Sequence, residues 1–199
     1  MKYRTIVADP PWEMRGGGPR GRGDSPRHRL PYPTMRLDEI CAVAVDEWST
    51  EDANLFLWST EAFVLDGSAK VVVSAWGFRS PRVLIWRKSQ YGFGEFPRRQ
   101  HELCVVATRG PSTWLRRDIS SVQDWPVTYG KHRLHSAKPE GFLDLVEQVS
   151  PGPYLELFAR RQRLGWDRWG NEVDTTLPAL ARMTSAELEA QVHDWVENG

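Results

Sequence analysis

Residues 3–12 read Tyr3-Arg4-Thr5-Ile6-Val7-Ala8-Asp9-Pro10-Pro11-Trp12. The first six form a short apolar run with β-branched residues, the pattern of a buried strand. The last four end that strand abruptly. Proline fixes φ, offers no N–H to a ladder and biases the residue before it to extended backbone. A strand delivering an acid, two prolines and an aromatic to its mouth is the frame from which the rest of the chain is read.

Similar runs recur at Asn54–Trp58, Val83–Trp86, Leu103–Ala107 and Tyr154–Phe158. Several are apolar almost throughout, as in a sheet covered on both faces. Helical patterns fall between them. One spans Leu37–Val45 and another Thr60–Trp76, with Gly67 inside it. The clearest runs from Pro139 to Val149, where Phe142, Leu145, Val146 and Val149 repeat at i, i+3, i+4 and i+7. Ser150-Pro151-Gly152 stops it. Alternating strands and helices predict an α/β sandwich with a largely parallel sheet. No internal repeat occurs.

The 199 residues suit one domain with a small appendage. We place the main domain at 1–173 and a tail at 174–199, with a short helix over Ser185–Val196. Lys+Arg and Asp+Glu are both 26, so a nucleic-acid surface has to be local. Cys41 and Cys104 have no metal-ligand spacing, and the sequence offers no ligand set for a metal. A reducing, cytoplasmic setting is the expectation. No signal peptide or membrane-spanning run is evident. No P-loop and no dinucleotide fingerprint follows a strand.

Asp9, Pro10, Pro11 and Trp12 suit one chemical problem, methylation of the exocyclic amine of a nucleobase. The lone pair of such an amine is delocalised into the ring. A carboxylate and a pre-proline or proline carbonyl accepting its two N–H bonds draw the nitrogen toward tetrahedral geometry. Trp12 supplies a flat face for an extruded base, a contact worth roughly 1–3 kcal/mol. The stretch 15–29 follows at once and carries Arg15, Arg20, Arg22, Arg27 and Arg29 among glycines. It cannot build a core, and its charges suit phosphates. The stretch 88–101 reads as a second loop, where Tyr91 and Phe93 offer stacking faces and Arg98 and Arg99 reach for backbone. Late in the chain, Lys138 precedes the best helix, where an anion is favoured. The basic loop after Tyr154–Phe158 and the segment 165–172 complete a slot for a donor that bears no phosphate, such as S-adenosylmethionine.

The ordered set Ala8–Trp12, Pro31–Met35, Phe56–Trp58, His135–Pro139, Glu156–Arg160 and Gly165–Asn171 resembles the MT-A70 family of adenine-N6 methyltransferases. The likeness covers residues 3–173. It implies a Rossmann-like class I methyltransferase sandwich in circularly permuted order, with the catalytic strand first and the cofactor strand late. It implies Asp9 and Pro10 on the target amine, and Trp12 and Tyr32 walling the base. It implies S-adenosylmethionine as cofactor, held by Ala8, Asp9, Lys138, Phe158, Arg160, Asn171 and Glu172, with no metal. Glu172 stands where some relatives carry Gln. The expected substrate is DNA, as in the bacterial and phage enzymes, because the chain is compact and shows no added RNA-binding module, with the base flipped out or single-stranded. The alternatives are N4-cytosine in DNA, adenosine in RNA, or a non-catalytic nucleic-acid-binding subunit. The chain is expected as a monomer or homodimer, a partner subunit not being excluded, and with no membrane partner.

Overall fold

The computed structural model describes residues 1–13, 34–92, 96–111, 114–126, 138–170 and 173–176. Within them the elements are β1 (Tyr3–Ala8), α1 (Leu37–Cys41), α2 (Val45–Trp48), β2 (Ser49–Ser59), α3 (Glu61–Leu65) and α4 (Ser68–Ala75). There follow β3 (Arg79–Arg87), β4 (His101–Arg109), β5 (Val122–Gln123), α5 (Glu140–Val149), β6 (Tyr154–Leu157) and β7 (Trp166–Trp169). The tail helix expected over Ser185–Val196 lies outside the described residues.

The strands form one sheet in the order β5-β3-β4-β2-β1-β6-β7. β1 runs parallel to both β2 and β6, and β6 parallel to β7. β4 is antiparallel to both β2 and β3. The sheet is therefore mixed around a parallel centre. One edge collects the carboxyl ends of β1, β2, β3, β6 and β7. Because β4 runs the other way, its first residues, His101 and Glu102, arrive at that same edge.

Alternation along the central strands explains the layers. Ile6, Ala8, Leu55 and Leu57 point to one face, where Ile40, Phe63, Val72, Val73 and Trp76 cover them. Val7, Phe56 and Trp58 point to the other, under Phe142, Leu143, Val146 and Val149 of α5. Both faces are buried, which is why these strands lack a polar alternation. α5 is held at its exposed side too. Arg163 donates to Glu147 and Asp144 at 2.7–2.8 Å, and Trp166 Nε1 donates to Glu147 at 2.7 Å. These bonds tie the β6–β7 connection to the helix.

Four sequence expectations change. The Thr60–Trp76 helix is two helices, broken where Gly67 adopts φ +84°. Asp66 accepts the Ser68 N–H and starts α4 anew. The Leu37–Val45 pattern is helical only over α1, and a separate helix, α2, starts at its last residue, Val45. The aromatic segment 165–172 contains β7, paired in register with β6 from Tyr154–Trp166 to Leu157–Trp169. α5 begins at Glu140, with Pro139 extended just before it.

Two glycines separate conformational strain from crowding. A Cβ at Gly67 meets nothing within 4 Å, whereas at Gly110 (φ +61°) it falls 2.2 Å from the Glu51 carbonyl oxygen. Gly67→Ala is expected to cost about 1–2 kcal/mol, the left-handed penalty alone. Gly110→Ala should cost clearly more, because backbone has to move as well. Urea denaturation of the two variants measures the difference; equal losses would contradict it.

Candidate active site

The site starts from the turn after β1. The Asp9 amide donates to the Leu157 carbonyl of β6, 3.4 Å away. The prolines then leave their carbonyls as acceptors. Pro10 accepts the Trp12 amide and Pro11 accepts the Met35 amide, both at 2.8 Å, and Glu13 returns a bond to the Met35 carbonyl at 3.2 Å. Trp12 is locked in place. Its Nε1 donates to the Trp58 carbonyl at 2.9 Å, and its ring stacks on Phe63 at 4.8 Å and 25°. Only 8% of it is exposed. The sequence reading offers Trp12 as an open stacking face; the structure uses the residue to anchor the Asp9-Pro10-Pro11 turn to the end of β2.

Lys138 meets Asp9 across 129 residues of chain. Its Nζ donates to Asp9 Oδ2 at 2.8 Å, with 14% and 21% of the two side chains exposed. Glu102 Oε2 lies 3.4 Å from the same ammonium, and the Trp58 ring lies beneath it at 5.3 Å. Burial works against the charged lysine, but Asp9 and then Glu102 outweigh it, so its pKa is raised; Arg160 opposes them. Burial likewise works to raise Glu102, but Lys138 and Lys88 bring it below the usual carboxylate range. Arg160 is thus close enough to add positive potential at Lys138.

β6 contributes a second acid. Glu156 pairs in register with Val7, and burial pushes its pKa up to about 7. Arg161 and Arg163 pull the other way, and Asp9 adds to the rise. At the end of β6, Phe158 takes φ +59°, a left-handed conformation costly for an aromatic residue. Its ring packs edge-on to Trp169 at 5.1 Å, and the Ala159 amide donates to the Trp169 carbonyl at 2.9 Å. A Cβ on Gly170 would fall 2.3 Å from the Ala159 carbonyl oxygen. The ends of β6 and β7 therefore close on each other without the glycine-rich turn a phosphate would need.

The structure brings Asp9, Lys138 and Arg160 together, with Ala8 in the core immediately before Asp9. Arg98 and Arg99 are exposed on the β3–β4 connection, at the same edge of the sheet. That loop is pinned by bonds from Lys88 to Gln100 and from Gly92 to Arg99, and Arg98 lies 5.3 Å over the Tyr91 ring. Tyr32, Asn171, Glu172, Arg15, Arg20, Arg22, Arg27 and Arg29 lie outside the described residues. Glu102 went unremarked in the sequence, and Lys88 and Glu156 were named only within a loop and a motif, with no role of their own. The available signal was one acid in each of two apolar strands, Glu102 in Leu103–Ala107's approach and Glu156 inside Tyr154–Phe158. Among the described residues no cluster of His, Cys, Asp and Glu suits a metal, and no helix is long and apolar enough to cross a membrane.

The MT-A70 family model matches residues 3–172. The chain is 27% identical over 187 residues to the Type II methyltransferase M.MunI of Mycoplasma sp, covering 86% of this chain and 78% of that protein. It is 29% identical over 184 residues to the N(6)-adenosine-methyltransferase MT-A70-like protein of Drosophila melanogaster, covering 87% of this chain and 27% of the relative. It is 27% identical over 190 residues to the N6-methyladenosine RNA methyltransferase MTA1 of Pyricularia oryzae, covering 86% of this chain and 47% of the relative. The chain thus spans well under two thirds of the last two. Their names overturn the expectation of a DNA substrate: one specifies adenosine, the ribonucleoside, and the other specifies RNA. With the family model matched from β1 to just beyond β7, the chain belongs to the MT-A70 family, the S-adenosylmethionine-dependent adenine-N6 methyltransferases.

Proposed function

We propose that this chain transfers a methyl group from S-adenosylmethionine to the N6 amine of adenosine in RNA. The observation that carries the reading is the Asp9–Lys138 pair at the carboxyl edge of the sheet. It sets an amine-directed carboxylate against a cation suited to the donor's amino-acid head. We read the strand order as a class I methyltransferase sheet in permuted order, with the Asp9 strand first and β6, the cofactor strand, late.

The residues fit the cofactor in charge. S-adenosylmethionine supplies a methyl group made electrophilic by a sulfonium. Its head carries one carboxylate and one ammonium. Lys138 with Arg160 answers the carboxylate, and Glu156 answers the ammonium, since a nearby cation favours its ionised form. Trp58 Nε1 is buried and has no acceptor among the described residues, which leaves a donor for a ligand or water beside Lys138. Phe158 gives an apolar wall. Asn171 and Glu172 remain the proposed ribose partners, and Tyr32 the proposed partner of the base.

Asp9 accepts one N–H of the amine and the second lone pair of the Pro10 carbonyl accepts the other. The Trp12 anchor keeps that turn rigid, so orientation is set before substrate arrives. Arg98, Arg99 and the arginines of 15–29 contact phosphate, and binding should weaken with salt.

Labelled S-adenosylmethionine, offered with RNA and DNA oligomers of matched sequence, tests the reading. Label in RNA, recovered as N6-methyladenosine, supports it; label recovered only from DNA or cytosine overturns it. In the same assay Asp9→Asn should lower the rate on the order of 100-fold or more. Calorimetry should show cofactor affinity within a few fold of wild type.

Glu156 gives a pH test. Its folded pKa of about 7 lies above the ordinary 4.5. Between those values the unfolded chain has ionised the group while the folded chain keeps it protonated. Native stability is therefore lost as pH rises through the window and stays lower above it, by up to about 3 kcal/mol. Glu156→Gln should unfold at a higher urea concentration than wild type at pH 8 and at a similar one near pH 4.5. It should also bind S-adenosylmethionine more weakly. No pH dependence in the difference would contradict the assignment.

A further inference from the structure

A run of alternating charge extends beyond the reacting pair. Lys88, the first residue after β3, donates to Glu102 Oε1. Glu102 Oε2 lies 3.4 Å from Lys138, and Lys138 bonds Asp9 at 2.8 Å. All four side chains are between 14% and 29% exposed. The run is laid along a wall of indoles. Lys88 stands 4.9 Å over Trp86 and Lys138 stands 5.3 Å over Trp58, and the two rings meet edge to face at 6.3 Å. Strand register sets this wall, because Trp86 pairs with Glu102 and Trp58 with Cys104. Water is excluded on that side, so each charge strongly feels the next.

Two carboxylates compete for Lys138, and two lysines compete for Glu102. An ammonium drawn fully onto Asp9 takes electron density from the oxygens that must accept the amine. Glu102 draws it the other way. Lys88 in turn limits how far Glu102 can do so. Lys88 also closes the neck of the 88–101 loop, since its amide donates to the Gln100 carbonyl at 2.8 Å and Gln100 Nε2 donates to its carbonyl at 2.9 Å.

We propose that Glu102, poised by Lys88, is a positioning residue that sets how strongly Lys138 bears on Asp9 and so couples the 88–101 loop to the methyl-transfer centre. The inference rests on the role given above to Lys138 in holding the cofactor carboxylate. It predicts different effects from two neighbouring members of the run. In Glu102→Gln, Lys138 loses a competing anion. Its affinity for the cofactor carboxylate should stay level or rise up to about threefold, while single-turnover methyl transfer falls tenfold or more. In Lys88→Gln, Glu102 takes Lys138 more fully, and the Kd for S-adenosylmethionine should rise about threefold or more.

Calorimetry with S-adenosylmethionine on both full-length variants, beside single-turnover assays on adenosine RNA, decides the matter. A structural lesion would weaken cofactor binding in both variants, and a direct substrate contact would raise the KM for RNA at unchanged rate. Either result overturns the proposal, as does a Glu102→Gln rate within twofold of wild type. Should Glu102→Gln fail to fold, an unchanged Kd in Lys88→Gln is enough to overturn it. If wild-type protein binds the cofactor but leaves adenosine unmethylated, the functional reading fails. The opposed Kd shifts would still report the balance on Lys138.

Discussion

The structure depends on one ion pair largely withdrawn from water, Asp9 with Lys138. Each charge alone in that position would carry a desolvation penalty of several kcal/mol. Together, and with Glu102 and the Trp58 ring, they are satisfied. Holding them together constrains the fold. β1 must end where the chain enters α5, and β6 must lie beside β1 so that the Asp9 amide can bond Leu157. The prolines matter because they turn the chain sharply without competing for the hydrogen bonds that this corner needs.

The mixed sheet then delivers the remaining groups. Parallel strands place ligand-facing loops at their carboxyl ends. Reversal of β4 brings the start of a strand to that edge, and with it Glu102. On the other side, β6 and β7 close through a left-handed Phe158 and a Gly170 that has no room for a Cβ. Strain at such a corner persists only where the surroundings overdetermine it. Here the Trp169 contact and the Ala159 bond do so. This corner is the wall we propose for the donor's adenosine and zwitterionic head.

Much of this is visible in the residues. The β1 run with its acid and prolines, the spacing of α5 and four further apolar strands can be read directly, because burial and proline chemistry leave strong local marks. Gly67 misleads, since a helical stripe survives on both sides of a break that depends on one left-handed φ. β7 hides because four of its residues look like an aromatic turn until β6 pairs with them. Glu102 and Lys88 are anonymous in the sequence; their meaning comes from strand reversal, which is a tertiary fact. Trp12 is recognisable as special, but its burial against Phe63 follows from where α3 packs. The DNA expectation rested on compactness, which carries no information about the sugar of the substrate.

The central claim is that Asp9 and Lys138 act as one unit joining the amine side of the site to the donor side. A double-mutant cycle on the S-adenosylmethionine Kd, using Asp9→Asn, Lys138→Met and the double variant, measures it directly. A coupling energy of about 1–3 kcal/mol is the predicted result. Effects that add to within about 0.5 kcal/mol would show two independent residues and contradict the account.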